Sequence, residues 1–552
     1  MRTLFLFTVA AASVFGGLLD AVRNDDHALA EQLLQDGAKA NERDDDGTPA
    51  LAWAAMRGNV SIATLLLRSG ADPNLTNESG VSPLAIAITN GSGEIASLLL
   101  KHRADPNVSR ENGETPLMIA ARMGRVDIMK SLLAIGANVN VREKKFGQTV
   151  LMWAAGNSEA VQMLVQAGAD IRAVTKAWDV KYTNYLPTTV TLGKTGIPWN
   201  NDGDYIAKKG GLSALHFAVQ KNDFESVRIL LDAGADVNTA AADGTTPLLT
   251  ALYKWDLPKA TFIPGRGAPA TAGSSQRFTP NLRVARLLLD RGATVKVIDG
   301  TGYSPLHGAA LAVAKAARTG TRQRGAYGQT AAALALGGDD EEGLKLELKD
   351  TLEFVQRLLG AGADPNLGTI FPTGGPAGDV RINPAPAGSS AMHIAASSGS
   401  VDLVKLLAAR GGNVNQLRKD GHTPFSVSVL AGDLAVVKQM VASGATIKAR
   451  WNPQDKIPDP VDAITLARSD QSILHLAAIQ GKPEILEYLH AQGAALDARN
   501  SMGETPFDLA DKQERYRDAI QRQGVDGDVE KLKKIVRGTA GTDCLRRLAA
   551  AR

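Results

Sequence analysis

Four of the eight histidines share one local frame: "LSALHFA" with His216, "YSPLHGA" with His307, "SAMHIA" with His393 and "SILHLA" with His475. An imidazole in such a run can ligate a metal, move a proton or hydrogen-bond inside a core. Ser213, Ser304, Ser390 and Ser472 each stand three residues before a histidine, one helical turn away. Serine beside histidine raises nucleophilic catalysis, which also needs an orienting group and a pocket. No Gly-x-Ser-x-Gly elbow lies between a buried strand and a helix. The same slot holds Ala52, Ala85, Met118, Met152, Leu249, Ser426 and Asp508 elsewhere. A slot that accepts Ala, Leu and Met is a packing position. Zinc fails on distance. Packed helices lie ~8–10 Å apart, too far for imidazoles on adjacent helices to share bonds of ~2.0–2.1 Å. The histidines therefore read as structural.

Other motifs carry less chemistry. "GKTG" (193–196) lacks phosphate-loop spacing and an adjoining strand and helix. "RDDDG" (43–47) lacks the spacing of a calcium loop and reads as solvated turn carboxylates. "DDEE" (339–342) is a solvent-facing charge run. The single cysteine, Cys544, excludes an intrachain disulfide and a cysteine-based zinc site. No catalytic residue, metal ligand or cofactor site is assigned. A net charge of +3 on 61 basic and 58 acidic residues leaves no clustered basic stripe, so nucleic acid is not expected as a partner. The opening "MRTLFLFTVAAASVFGG" has one Arg, a short apolar run and small residues. That is a signal peptide over 1–16 rather than a span, which needs ~20 residues. The mature chain is expected to be exported, periplasmic or extracellular, with no integral membrane span.

What positions these residues is a repeat. "GVSPLAIAITNGSGEIASLLLKHRADPN" (80–107) and "GETPLMIAARMGRVDIMKSLLAIGANVN" (113–140) align residue by residue, with Pro83 and Pro116 33 residues apart. Ser or Thr before Pro is a helix cap followed by Pro in the first turn. A short first helix follows, then a break, a second helix ending at Gly, and an extended hairpin. Neither helix can bury its apolar face alone, so units must stack.

These units resemble ankyrin repeats. The frame recurs at Gly47, Gly80, Gly113, Gly147, Gly211, Gly244, Gly302, Gly388, Gly421 and Gly503, and around Ser472 without its Gly. "LLDAVRNDDHALAEQLLQDGAKAN" (18–41) resembles an N-terminal cap. The resemblance covers most of the chain and implies an all-α ankyrin-repeat solenoid of about 11–12 helix–turn–helix units with β-hairpin fingers. In such repeats the histidine bonds locally and bridges adjacent units. The style resembles exported bacterial ankyrin proteins. One unit departs from the pattern: "GQTVLMWAAGNSEA" has Val150 for Pro and a shortened inter-helix turn.

The expected organisation is 17–172 for N-terminal repeats, 210–366 for central repeats, 389–510 for C-terminal repeats and 511–552 for a helical tail. Five insertions interrupt it, at 173–209, 367–388 and 448–470 in hairpin connections and at 254–280 and 311–349 between paired helices. They collect Trp178, Trp199, Trp255, Trp451, Tyr182, Tyr185, Tyr205 and Tyr327. Each aromatic is either an anchor for its loop or part of a recognition surface. The expected function is non-enzymatic: a protein partner held on the concave face and insertions. The alternatives are a host-directed effector and an enzyme whose site the insertions build. Candidate contacts after the Ala pair are Met56, Arg57, Arg122, Met123, Gln220 and Lys221, with Thr89, Asn90, Ile479 and Gln480 in the same slots. Before Ser/Thr-Pro they include Tyr303, Glu114 and His422. In the insertions they are Trp178, Tyr182, Tyr185 and Trp199.

Overall fold

The computed structural model describes residues 17–182, 205–252, 255–256, 277–278, 280–300, 302–319, 348–369, 388–418, 421–451, 470–510 and 545–550. Two compact units divide the chain: Met1–Trp178 with Lys208–Ala242, and Asp179–Ala207 with Asp243–Arg552. Among the described residues eleven helix pairs follow one another, from Leu18–Arg23 with His27–Gln35 to Ile473–Gln480 with Pro483–Ala491. Residues 506–510 open a further first helix.

The fourth pair shows why these residues fold so. Thr115 Oγ1 accepts the Met118 N–H at 3.4 Å, and Pro116 opens helix Pro116–Arg122 where no N–H is needed. Helix Val126–Ala134 buries Ile128, Met129 and Leu132 on one stripe. Gly136 ends it at φ +89°, in open space, so backbone conformation alone selects glycine there. Gly113, at φ +81°, adds close approach: a Cβ would lie 3.1 Å from the Lys144 backbone nitrogen of the next finger. Asn59, Asn157, Asp223 and Asp433 cap second helices through their side chains.

The fingers are turns closed by single bridges, Arg43 with Pro49, Arg142 with Thr149 and Val174 with Ser213. Adjacent fingers are linked by backbone bonds, Glu78 N–H to Asp46 O at 3.2 Å and Lys144 N–H to Asn112 O at 2.8 Å. Longer strand pairs stand where insertions leave and re-enter. Ala177–Tyr182 pairs with Tyr205–Gly210. Trp255–Asp256 runs antiparallel to Arg277–Phe278, and Arg450–Trp451 to Gln471–Ser472. Thr369 and Gly388 close a fourth base through a 2.7 Å bond. At these four bases the insertion returns to where it left, so the repeat register resumes and only loop closure, which grows slowly with length, is incurred.

Two departures from the sequence reading stand out. Helix Pro305–Thr319 runs into the segment read as an insertion from 311, because Leu311–Ala316 is an Ala-rich run without a breaker. Ala312, Val313 and Ala314 are fully buried. Conversely, the shortening read into the inter-helix turn of the fifth unit falls on its first helix, which is only Val150–Ala154 against Pro116–Arg122 in the fourth. The signal-like segment 1–16, Cys544, most of the insertions and 511–544 of the tail lie outside the described residues. Residues 545–550 are helical: Leu545 is buried, the Arg546 guanidinium lies 5.4 Å from the Phe507 ring, and Arg547 pairs with Glu487 at 3.6 Å. No described helix is long and apolar enough to cross a membrane.

Candidate interaction surface

The histidines decide whether the surface is scaffold or site. His307 Nδ1 accepts the Ser304 backbone N–H at 3.2 Å and lies 2.8 Å from Ser304 Oγ. With Nδ1 an acceptor, the proton is on Nε2, which donates to Ser389 O of the next unit at 2.9 Å. His475 repeats this with Ser472 and with Glu504 O at 2.9 Å, and His393 with Ser390 and His422 O at 3.3 Å. His216 shares the local half, its Nδ1 accepting from Ser213 N–H at 3.2 Å. Removal from water pushes His307 down to about 4, against the hydrogen bonds that favour its charged form. Burial likewise lowers His475. These are neutral bridges between units. Among the described residues no three of His, Cys, Asp and Glu gather as a metal set.

A second set of bridges went unread. Asn107 Oδ1 accepts the Asn138 N–H at 2.7 Å and its Nδ2 donates to Gly136 O at 3.3 Å. Asn41, Asn74, Asn140, Asn366 and Asn415 do the same toward the following unit. The signal was present: Asn41, Asn74, Asn107 and Asn140 recur every 33 residues.

On this frame the predicted contact residues separate. Met56 and Met123, at the ends of first helices, are 44% and 46% exposed. Arg57 is exposed and its guanidinium reaches back to Arg23 O. Gln220 is half-buried and Lys221 exposed. Arg122 is half-exposed yet engaged: it donates to Glu114 at 2.7 Å and lies 5.4 Å from the Trp153 ring. The same trio recurs nearer the N-terminus, with Arg23 2.6 Å from Asp44 and 4.5 Å from the Trp53 ring, and Trp53 Nε1 donating to Asp44 at 2.7 Å. Burial acts to raise the Asp44 carboxyl, but hydrogen bonding with Asp46, Trp53, Thr48 and Arg23 outweighs it and holds it below the usual carboxylate range.

The residues before Ser/Thr-Pro are corrected. Tyr303 is 4% exposed, its ring 5.2 Å from that of His307, so it is core rather than a contact. Glu114 is buried between Arg110, at 3.0 Å, and Arg122. His422 is buried against Trp451, with ring centroids 4.6 Å apart. In each case a 3.0 Å backbone bond ties the position to the preceding turn, from Asp299 N–H to Tyr303 O, Arg110 N–H to Glu114 O and Arg418 N–H to His422 O.

The insertion aromatics divide as well. Trp451 is buried and anchors its loop. Trp178 is 39% exposed, its ring 5.1 Å from Phe146. Tyr182 ends the described strand, with its side chain outside the described residues, and Tyr185 and Trp199 lie outside them altogether. A small cavity beneath Trp451 is lined by Thr423, Phe425, Gln471 and Leu476, with Arg450 its one charged residue. Most of the insertions 173–209 and 311–349, at 183–204 and 320–347, lies outside the described residues, and with it the enzyme site expected of them.

Comparison with known proteins fits this geometry. Models described as ankyrin repeats match residues 18–110, 102–175 and 344–450, residues 459–510, and residues 210–241. The chain is 41% identical over 122 residues to cyclin-dependent kinase 4 inhibitor B of Mus musculus, covering 22% of this chain and 82% of that protein. It is 31% identical over 123 residues to a transient receptor potential cation channel subfamily A member 1 homolog of Caenorhabditis elegans, covering 22% of this chain and 9% of that one. With ankyrin repeat and SOCS box protein 16 of Homo sapiens it shares 29% over 233 residues, 41% of this chain and 42% of that protein. The chain thus spans less than half the length of the latter two.

Proposed function

The chain belongs to the ankyrin-repeat proteins, and on that premise we propose that it is a non-enzymatic scaffold holding a protein partner on its first-helix and finger face and on its insertions. The observation that carries this is Met56 and Met123 standing exposed at the ends of two first helices, directly after the buried pairs Ala54–Ala55 and Ala120–Ala121. Isolated exposed apolar residues are ordinary, but one Met and one Arg filling the two positions after the Ala pair in both units, as Met56–Arg57 and Arg122–Met123, has the composition of contact surfaces. A frame held by unit-to-unit hydrogen bonds presents that face with little reorganisation on binding. The relative named as a kinase inhibitor aligns over most of its own length, which supports protein binding by the stack alone.

The test is affinity capture with the full chain and a Met56→Glu, Met123→Glu double variant. Neither side chain is buried, so the variant should keep its circular dichroism and lose the partner by at least about tenfold. A partner retained equally by both would overturn the proposed face. Export belongs to the same proposal, as a bacterial-type exported protein processed near residue 16. N-terminal sequencing of periplasmic and extracellular material tests it, and an unprocessed chain confined to the cytoplasm would refute it.

A further inference from the structure

One end of the finger edge in the first unit gathers charge that the sequence scatters. Lys144 and Lys145 lie on one finger tip and Lys176 on the next, all exposed. The two are joined by backbone and side chain: Lys176 N–H donates to Phe146 O at 2.7 Å, and Lys176 Nζ to Lys144 O at 2.6 Å. The strand Tyr205–Gly210 brings in Lys208 and Lys209. It pairs with the strand carrying Trp178, and Gly210 lies so close that a Cβ there would sit 2.7 Å from the Trp178 ring. Arg142 flanks the group, 3.9 Å from Asp170 and bonded to Val174 O at 2.7 Å.

Exposed counter-charge flanks the group: Asp179 follows Trp178 in the chain, and Glu111 stands on the finger bonded to Lys144. Glu143 is buried, and its carboxylate accepts the backbone N–H groups of Lys145, Phe146 and Gln148 at 2.6–3.0 Å. Asp170 is the exposed carboxylate beside Arg142. The earlier fingers are acidic, with Asp45, Asp46, Glu78 and Glu111 exposed, the last on the finger whose Asn112 O accepts the Lys144 N–H. Within the basic end lies an apolar surface: Trp178 packs on Phe146 with the rings inclined at 48°, and Lys145 Nζ lies 4.8 Å from the Phe146 ring.

We propose that this end of the edge binds an acidic peptide segment of a protein partner, with an apolar side chain of that segment seated on Trp178. This rests on the scaffold reading above and names the chemistry of one partner. Cations around an exposed tryptophan complement carboxylates flanking an apolar residue. A long polyanion fits less well. It would run onto the acidic fingers, and base stacking needs open ring faces in succession, whereas these two rings pack on each other. Two fingers at ~8–10 Å spacing offer room for about six extended residues.

The experiment is fluorescence anisotropy with the full chain and a labelled twelve-residue peptide of Asp and Glu with one central Phe. Saturable binding is expected. It should weaken by at least about tenfold in Lys144→Glu, Lys145→Glu, and similarly on raising salt, which screens exposed charges. Trp178→Ala should weaken it about threefold to tenfold and leave the salt dependence in place. Two controls of equal charge run beside it, an oligothymidylate and phosphatidylserine-containing vesicles. Tighter binding of either, or peptide binding unmoved by the lysine reversals, overturns the proposal. Met56→Glu, Met123→Glu should leave peptide binding unchanged. If the peptide fails while that variant still abolishes partner capture, the acidic-peptide site is wrong and the scaffold reading stands.

Discussion

A buried imidazole is a poor place for a proton, and that turns a structural residue into a measurable one. His307 is neutral in the folded chain, with Nδ1 occupied by a backbone N–H and Nε2–H on a carbonyl. Above pH 6.5 it is neutral folded and unfolded, and its contribution to stability is fully present. As pH falls, the unfolded chain takes the proton first, so stability drops between 6.5 and about 4 and levels off below. At about 1.4 kcal/mol per pH unit the loss reaches roughly 3 kcal/mol. Hydrogen exchange of helix Pro305–Thr319 at pH 7 and pH 5 should show it, and His307→Gln should flatten the difference. Equal slopes would remove the imidazole as the cause. The serine three residues earlier made the local half of this bond legible from spacing. The carbonyl partner lies 82 residues on and was reachable only through resemblance to a repeat.

The helix–turn–helix unit is where sequence and structure agree most, because its signals are local: a cap, a proline, an apolar stripe, a glycine. Leu132 is fully buried in helix Val126–Ala134, so Leu132→Ala should cost ~2–5 kcal/mol in chemical denaturation. A loss below about 1 kcal/mol would contradict the packing. Asn107→Ala removes one acceptor and one donor between units and should cost about 1–3 kcal/mol, seen as faster exchange at Asn138. What stayed illegible depends on neighbours in space. Tyr303, Glu114 and His422 precede a helix cap and read as surface, yet they are buried, against His307, between Arg110 and Arg122, and against Trp451. Helix Pro305–Thr319 overran its expected end because nothing in its Ala-rich run breaks it. The basic cluster escaped notice because its lysines stand at 144–145, 176 and 208–209, with an insertion between.

Stacked units contact their neighbours, so stability at the scale of the chain is nearest-neighbour rather than global. Residues 545–550 illustrate the limit of that reach, with Leu545 buried and Arg547 on Glu487. Removing 545–552 should raise hydrogen exchange across helices Ile473–Gln480 and Pro483–Ala491 and leave helix Pro116–Arg122 unchanged. A uniform rise would show one cooperative block instead.

The described side-chain bridges of His307, His393 and His475, and of the asparagines at the finger bases, all point toward the C-terminus, to the unit that follows. That gives the array an order in time. On the ribosome a unit carrying one of these side chains emerges with a hydrogen bond unmet, and it is completed only when the next unit has appeared, 29 residues on for His393 and 82 for His307. The growing end is always the incomplete one. A pause in synthesis, or a premature stop, therefore exposes whichever unit was made last, and the site of damage moves with the point of interruption.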